Sequence, residues 1–359
     1  MKTEKKRRRQ VGRVVEIANA VNSVIGKPVL RLGSDEIFIP VKIPTGSLVV
    51  DRITGGGFTL GRHVELFGDE NACKSFVLLR TMALSQARGN VCALIDPEKA
   101  FDPKWFEHMG GISDELLLFQ PEEKWTAEDA VGVMMMLGKL VDDEAVEIVG
   151  IDSVSAMVTQ EEMKKDPREE DRVASQARMM SRALRRITTT NKRTLFIWTN
   201  QQRMNIGFGA QFNPRTESGG RALRYYATTR LEFKKAGKVT RDMAVADKGQ
   251  LKEKKVPYGN WIQVRSEKEK STKPYMQGMF VFDSDHGEID QTSEIIQLAL
   301  EDEIIQRRGN MFHYEDIAGV EHKGLETRFK QMISTDTDLR DELVDAITEM
   351  TMQLSRVGD

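Results

Sequence analysis

The stretch Gly68–Ser75, GDENACKS, carries the residue types of a phosphate-binding loop. The pattern G-x-x-x-x-G-K-[ST] works because backbone N–H groups of a glycine turn face phosphate oxygens. Its lysine reaches the β- and γ-phosphates and its hydroxyl meets Mg2+. Gly68, Lys74 and Ser75 fit, with Asp69, Glu70, Asn71 and Ala72 between them, but Cys73 stands where the second glycine belongs. Alone, this octapeptide reads equally as a chance match. Three polar residues elsewhere change that reading. Asp152 ends the apolar run VEIVGID, Glu98 follows NVCALID, and Gln201 follows TLFIWTN. Ligands of open α/β sheets bind at the carboxyl ends of strands. There Asp152 and Ser75 are the residue types that hold Mg2+ and its water shell, and Glu98 is one that orients a water towards a γ-phosphate. Asp152 taken singly could cap a helix. The set of four reads as a nucleotide site.

The runs HVELFG, NVCALID, VEIVGID and TLFIWTN are apolar on both faces, as in a central parallel sheet covered by helices. KSFVLLRTMALSQARG between the first two is a helix that Gly89 ends. These alternations predict a three-layer α/β domain. Residues 11–26 have Val14, Val15, Ile17, Ala18, Val21 and Ile25 at near-helical spacing, and KPVLRLG reads as a lone strand. Neither can build a core alone, so they need another surface, their own body's or a neighbour's. Residues 287–359 read as mostly helical, with SEIIQLALEDEIIQRRG starting at Ser293 as N-cap and stopping near Gly309.

Composition bounds the class. A chain of 359 residues, 40% apolar and 30% charged, buries a large core and is neither disordered nor fibrous. No apolar run approaches a membrane span, and the basic start MKTEKKRRRQ lacks the apolar region of a secretory signal. Two cysteines, Cys73 and Cys92, make no disulfide framework, so a cytoplasmic location is expected. Net charge is −2 but uneven: about +6 over the first 13 residues and about −12 over 283–359. A basic arm and an acidic end suit a protein that handles a polyanion, although solvated faces would look the same. In residues 173–187, Val173, Ala177, Met180, Leu184 and Ile187 form one stripe. Arg178, Ser181 and Arg185 fall on another face, with Arg182 and Arg186 nearby.

In order along the chain stand IPTGSLVVDRITGGG, GRHVELFGDENACKS, CALIDPEKAFDPKW, IDSVSAM, ARMMSRALRRI, TNQQRMNIG and TESGGRALRYYATTRLEF. In these motifs the chain resembles the bacterial and phage RecA-type recombinases, from the helix at residue 14 to the region near Tyr314. The resemblance implies a RecA-like ATPase core over 44–283, an N-terminal helix–strand docking arm over 1–43, and a small acidic α/β domain over 284–359. It implies ATP and Mg2+ as cofactors. ATP would lie between subunits of a head-to-tail helical filament that coats single-stranded DNA and pairs it with a homologous duplex. Glu98 is then the catalytic glutamate, Asp152 the Mg2+-associated carboxylate and Gln201 the γ-phosphate sensor. Trp105 stands where the family stacks an aromatic on adenine, a core tryptophan being the alternative. Lys268 and Lys270 match a lysine pair that reaches the neighbour's γ-phosphate.

The resemblance also sets the arginine helix against the DNA backbone. It implies contacts from Val173, Arg178, Ser181, Arg185, Arg203, Gly219, Gly220 and Arg221, with Ile206 as a wedge between base triplets. QEEMKKDPREEDR and QQRMNIGFGAQFNPRTESGG match the two DNA-facing loops, the second about one residue longer than usual, as counted against the family pattern. Single-strand-binding and loader proteins are further candidate partners, and an SOS-type DNA-damage role is implied. Two alternatives stay open: a filament that hydrolyses slowly because of Cys73, and a RecA-core ring helicase.

Overall fold

The computed structural model describes residues 2–35, 39–122, 124–164, 172–204, 215–217, 219–247 and 250–355. Contacts divide the chain into two units, Met1–Val41 and Lys42–Asp359. The first is a helix, α1 (Lys2–Ile25), followed by an extended segment. The helix begins well before the expected residue 11. Its Val11, Val14, Ile17 and Ile25 remain about half exposed. The strand expected over 27–33 finds no ladder partner among the described residues. Instead the Asn22 side chain donates to the Leu30 carbonyl and accepts from its N–H, both at 2.8 Å. An extended segment becomes a strand only when an edge is offered to it.

The second unit opens with β1 (Lys42–Ile43), α2 (Leu48–Thr54) and β2 (Phe58–Thr59). Next come β3 (His63–Gly68), α3 (Lys74–Gln86), β4 (Val91–Ile95), α4 (Pro103–His108), β5 (Leu116–Phe119), α5 (Ala127–Leu137) and β6 (Val146–Ile151). After α6 (Gln160–Lys164) and α7 (Arg172–Thr190) come β7 (Leu195–Met204), β8 (Arg215–Glu217), α8 (Ala222–Tyr226), β9 (Thr229–Asp247), β10 (Gln250–Glu269), β11 (Gln277–Asp283) and β12 (Glu288–Ile289). Among the described residues, the main sheet has ten strands. Its path runs β12-β11-β10-β9-β3-β7-β6-β4-β5, with β8 on β7. From β9 to β5 every pairing is parallel, and beyond β9 the sheet turns antiparallel. This is the expected α/β layer plan: residues of β3, β6 and β7 are buried on both faces, one against α3 and the other against α7 and α5. The long β9–β10 hairpin is absent from the sequence-based expectation, because its apolar alternation is short, Leu231/Phe233 and Ile262/Val264, and the rest of its strands is rich in charge.

The last stretch is mostly helical, as read, and adds a small sheet in keeping with the α/β domain that the resemblance implied. α9 (Gln291–Glu301) is followed by an antiparallel three-stranded sheet, β13 (Gln306–Arg308), β14 (Met311–Glu315) and β15 (Glu321–Leu325), then α10 (Glu326–Thr335) and α11 (Thr337–Ser355). The N-cap of α9 is Asp290, whose carboxylate accepts from Ser293 N–H at 3.0 Å and from the Ser293 hydroxyl at 2.5 Å. Ser293 is thus a donor to the cap and not the cap itself. The helix stops at Glu301, not Gly309, because Glu303 takes a left-handed φ of 59° and the chain turns into β13.

α9 closes onto α2 through a buried carboxylate. Glu294, 1% exposed, accepts from the Ser47 hydroxyl at 2.5 Å, Leu48 N–H at 3.1 Å and Val49 N–H at 3.4 Å. It therefore satisfies the first amides of α2 from another helix. Arg52 on α2 pairs with Asp302 and donates to Thr351 of α11 at 2.7 Å. Burial pushes the Glu294 carboxyl up to about 7, against the pull of its Ser47, Leu48 and Val49 donors. Burial likewise raises neighbouring Asp51 to about 6. A carboxyl whose folded pKa lies above its unfolded one stabilises the fold at low pH, and that contribution fades as pH rises through the folded value. The contribution of these two carboxyls to the melting temperature should therefore fall as pH rises towards about 7. Glu294→Gln should flatten that slope, as scanning calorimetry across the pH series can measure.

Candidate nucleotide cleft and nucleic-acid face

Strand β3 ends at Gly68, where the chain presses against β9. Gly68 has φ of 130°, and a Cβ there would lie 2.1 Å from the Phe233 carbonyl oxygen, so only glycine fits. Asp69 N–H donates to that same carbonyl at 3.0 Å. The loop then turns through Asn71 (φ 52°) and Cys73 (φ 65°) and enters α3 at Lys74. No side chain caps the start of α3, which leaves its first amides facing the loop as an anion-binding N-terminus.

An open cleft of about 530 Å3 lies above this turn. Glu70 through Phe76 form its floor, and Glu98, Asp152, Ser153, Thr199, Gln201 and Phe282 form its walls. The residues singled out as a nucleotide site therefore converge. They do so because β3, β6 and β7 are adjacent and parallel, with β4 alongside β6. Thr199 and Ser153 line the cleft as well. Thr199 carries a legible signal, since it sits two residues before Gln201 and a strand repeats its faces with period two.

The Lys74 ammonium donates to the carbonyls of Asp69 at 2.5 Å and Gly68 at 3.3 Å. Burial lowers its pKa, while Asp152, Asp69 and Glu70 act in the opposite sense. Asp152 accepts from the Thr199 hydroxyl at 2.5 Å and is also bonded by Ser75. Burial raises its pKa against those two donors, and Glu98 and Asp96 add to the rise. The Ser153 hydroxyl donates to Glu98. A hydroxyl and a carboxylate side by side, with further carboxylates close, form a hard oxygen donor set that suits Mg2+ carried on phosphates. The loop amides and Lys74 suit the phosphates themselves. Among the described residues no cluster of three or more His, Cys, Asp or Glu side chains could hold a metal unaided.

The Cys73 position is left-handed, the condition under which a side chain there is strained. Burial pushes its thiol up to about 12, outweighing nearby Lys235 and Lys74, which disfavours the thiolate. Trp105 does not line the cleft. It is neither core nor free, being 37% exposed on α4, stacked on His108 at 5.5 Å and pressed against Gly287. Lys268 and Lys270 do not line the cleft either. Lys268 donates to the carbonyls of Arg224 at 2.7 Å and Tyr225 at 3.0 Å, and Lys270 is exposed.

On α7 the stripe Met180, Leu184 and Ile187 is fully buried, while Arg178, Ser181, Arg182, Arg185 and Arg186 are exposed. Arg178 pairs with Glu161 at 3.0 Å, both about half exposed. Gln176 ties the helix to the glycine turn after β8: its amide oxygen accepts from Gly219 N–H at 3.1 Å and its nitrogen donates to Val154 O at 2.8 Å. Gly220 packs against Ala177, and Arg221 is exposed at the start of α8. Strand β7 runs past Gln201 into a hairpin with β8, pairing Arg203 with Thr216. Ile206, the side chains of Val173 and Arg203, and the loop segments 165–171 and 205–214 lie outside the described residues. Among the described residues no helix is long and apolar enough to cross a membrane.

The family model for the RecA N-terminal domain matches residues 14–282. A protein named Protein RecA from Francisella philomiragia is 34% identical over 330 residues, covering 90% of this chain and 84% of that one. Its namesake from Francisella tularensis subsp. novicida is also 34% identical over 330 residues, covering 90% and 85%. The matched span holds the glycine loop, the Asp152 and Gln201 strand ends and the arginine helix together, and the chain belongs to the RecA family.

Proposed function

We propose that this chain is an ATP-dependent recombinase that assembles head to tail on single-stranded DNA and carries out homologous pairing and strand exchange with a duplex. The observation that carries the reading is the path of β7. Gln201 lines the nucleotide cleft, and the same strand continues into the hairpin with β8, after which Gly219 N–H donates to Gln176 of the arginine helix α7. The chain that leaves the cleft at Gln201 thus returns to the arginine helix, so nucleotide state and DNA grip can be coupled.

In this reading the loop amides and Lys74 hold the β- and γ-phosphates, and Ser75 and Asp152 hold Mg2+. When bound, Mg2+–ATP supplies the phosphoryl group that passes to water. Glu98 orients that water and Gln201 contacts the γ-phosphate. Trp105 would offer an aromatic face to the base. Lys268 and Lys270, which lie off their own chain's cleft, would serve the cleft of the adjacent copy. Hydrolysis would then require assembly, because cations from the next subunit neutralise charge that develops in the transition state. Edge strand β5, paired only with β4 among the described residues, exposes Leu117 and Leu118. It is a fitting acceptor for the unpaired 27–33 segment and the apolar stripe of α1 from another copy. A contact of that kind does not close on itself, so it builds a filament.

A strand-exchange assay with ATP and with a slowly hydrolysed analogue tests the whole reading, and electron microscopy separates open filaments from rings. Failure to exchange strands in either nucleotide would sink it. The exposed arginines make a second expectation. Arg178→Ala and Arg185→Ala should weaken single-strand binding on all sequences alike and flatten its salt dependence, since phosphate contacts carry no base code. A filter-binding titration with an unchanged slope would contradict that assignment.

A slow-hydrolysis variant of the reading is favoured by Cys73. A Cβ in the left-handed region costs roughly 1–2 kcal/mol, which is about a tenfold loss of nucleotide affinity. Cys73→Gly should keep or tighten ATP binding, measured by titration with a fluorescent analogue. Lys74→Ala should abolish hydrolysis. Weaker binding by Cys73→Gly would show that the strain is absorbed elsewhere.

A further inference from the structure

Below the cleft, on the opposite face of the sheet, sits a buried charge that the nucleotide site does not itself touch. Glu65 on β3 is 1% exposed. One carboxylate oxygen accepts from Arg230 Nε of β9 at 2.5 Å, and the other accepts from the Asn200 amide of β7 at 3.0 Å. Asn200 in turn accepts the backbone N–H of Gln201 at 3.0 Å. The Arg230 guanidinium lies over the Phe67 ring at 4.4 Å. Arg230 is also the ladder partner of Lys268 on β10. Three neighbouring strands are therefore joined through one carboxylate, from the residue that faces the cleft to the residue beside the lysine pair. Hydrophobic residues would fill this space without the cost of burying charge.

We propose that Glu65 is a positioning residue: it holds Gln201 in the cleft through Asn200 and keys that position to the Arg230–Lys268 strands. The hydrolytic part of the proposal rests on the reading of Gln201 as a γ-phosphate contact. Its consequence is directional. Disturbing Glu65 should leave the phosphate loop intact, because Gly68, Lys74 and Ser75 take no bond from it, and should act on turnover and not on nucleotide affinity.

The test uses the full-length protein with two variants. Glu65→Leu combined with Arg230→Met removes both charges together, so neither is left buried alone. Asn200→Ala leaves the ion pair and cuts the link to Gln201. Amide hydrogen exchange is read by mass spectrometry on the peptide containing Gln201 and on peptides from α3 and β6. The Gln201 peptide should exchange ~10-fold faster in both variants while the α3 and β6 peptides stay unchanged. In DNA-stimulated ATP hydrolysis, kcat should fall ~10-fold with KM for ATP within about twofold of the parent. Unchanged exchange at Gln201 in both variants overturns the proposal, as does a loss carried by KM alone. A parent protein without DNA-dependent ATP hydrolysis would instead overturn the reading of the cleft, and the exchange measurement would still decide the role of Glu65.

Discussion

Because β6, β7 and β3 run parallel and adjacent, their carboxyl ends finish along one edge of the sheet, and the polar groups of the cleft are delivered from that edge. Parallel strands require covered faces and long crossovers. That is why α3 and α7 lie on opposite sides, and why one helix can begin at the phosphate loop while the other presents arginines to solvent. The turn at Gly68 is the tightest point of this plan. Any side chain there would run into the Phe233 carbonyl, so the loop exists only because β3 and β9 approach so closely.

Charge is handled differently at two buried carboxylates, Glu65 and Glu294, and at the half-buried Asp152 of the cleft. Glu65 is held by Arg230 and Asn200, and Glu294 by the first amides of α2. Both are structural, and each joins elements far apart in the chain. Asp152 receives the hydroxyls of Thr199 and Ser75, beside Glu98, and interacts electrostatically with the Lys74 ammonium. That excess of negative charge, in a cleft with an uncapped helix start, suits a divalent cation that arrives with its phosphates. Outside the cleft, the Arg178–Glu161 pair is exposed, and such pairs contribute about 0–1 kcal/mol.

Several features were legible in local residue order. The four core strands, the phosphate loop with Cys73 in the place of its second glycine, and the buried stripe of α7 each follow from spacing within a dozen residues or so. Others were not. The cap of α9 moved from Ser293 to Asp290 because capping depends on φ and ψ at one residue, which a choice among Asp, Thr and Ser leaves open. The 27–33 segment reads as a strand by propensity yet pairs with nothing among the described residues, since a ladder needs an edge and propensity supplies none. The β9–β10 hairpin was missed because its apolar period is confined to Leu231/Phe233 and Ile262/Val264, with charged residues along the rest.

From its sequence alone, the chain's layer order, its nucleotide loop and its family motifs were determined, because each is written in contiguous residues with a fixed period or spacing. Tertiary structure alone decided which of those groups meet. Asp152, Glu98 and Gln201 share a cleft, whereas Trp105, Lys268 and Lys270 stand off it within their own chain. It also decided the network of Glu65, Asn200 and Arg230, and the closure of α2 by Glu294. Both join residues separated by more than a hundred positions, and hydrogen bonds between strands and helices depend on register and approach, which are settled only when the sheet has formed.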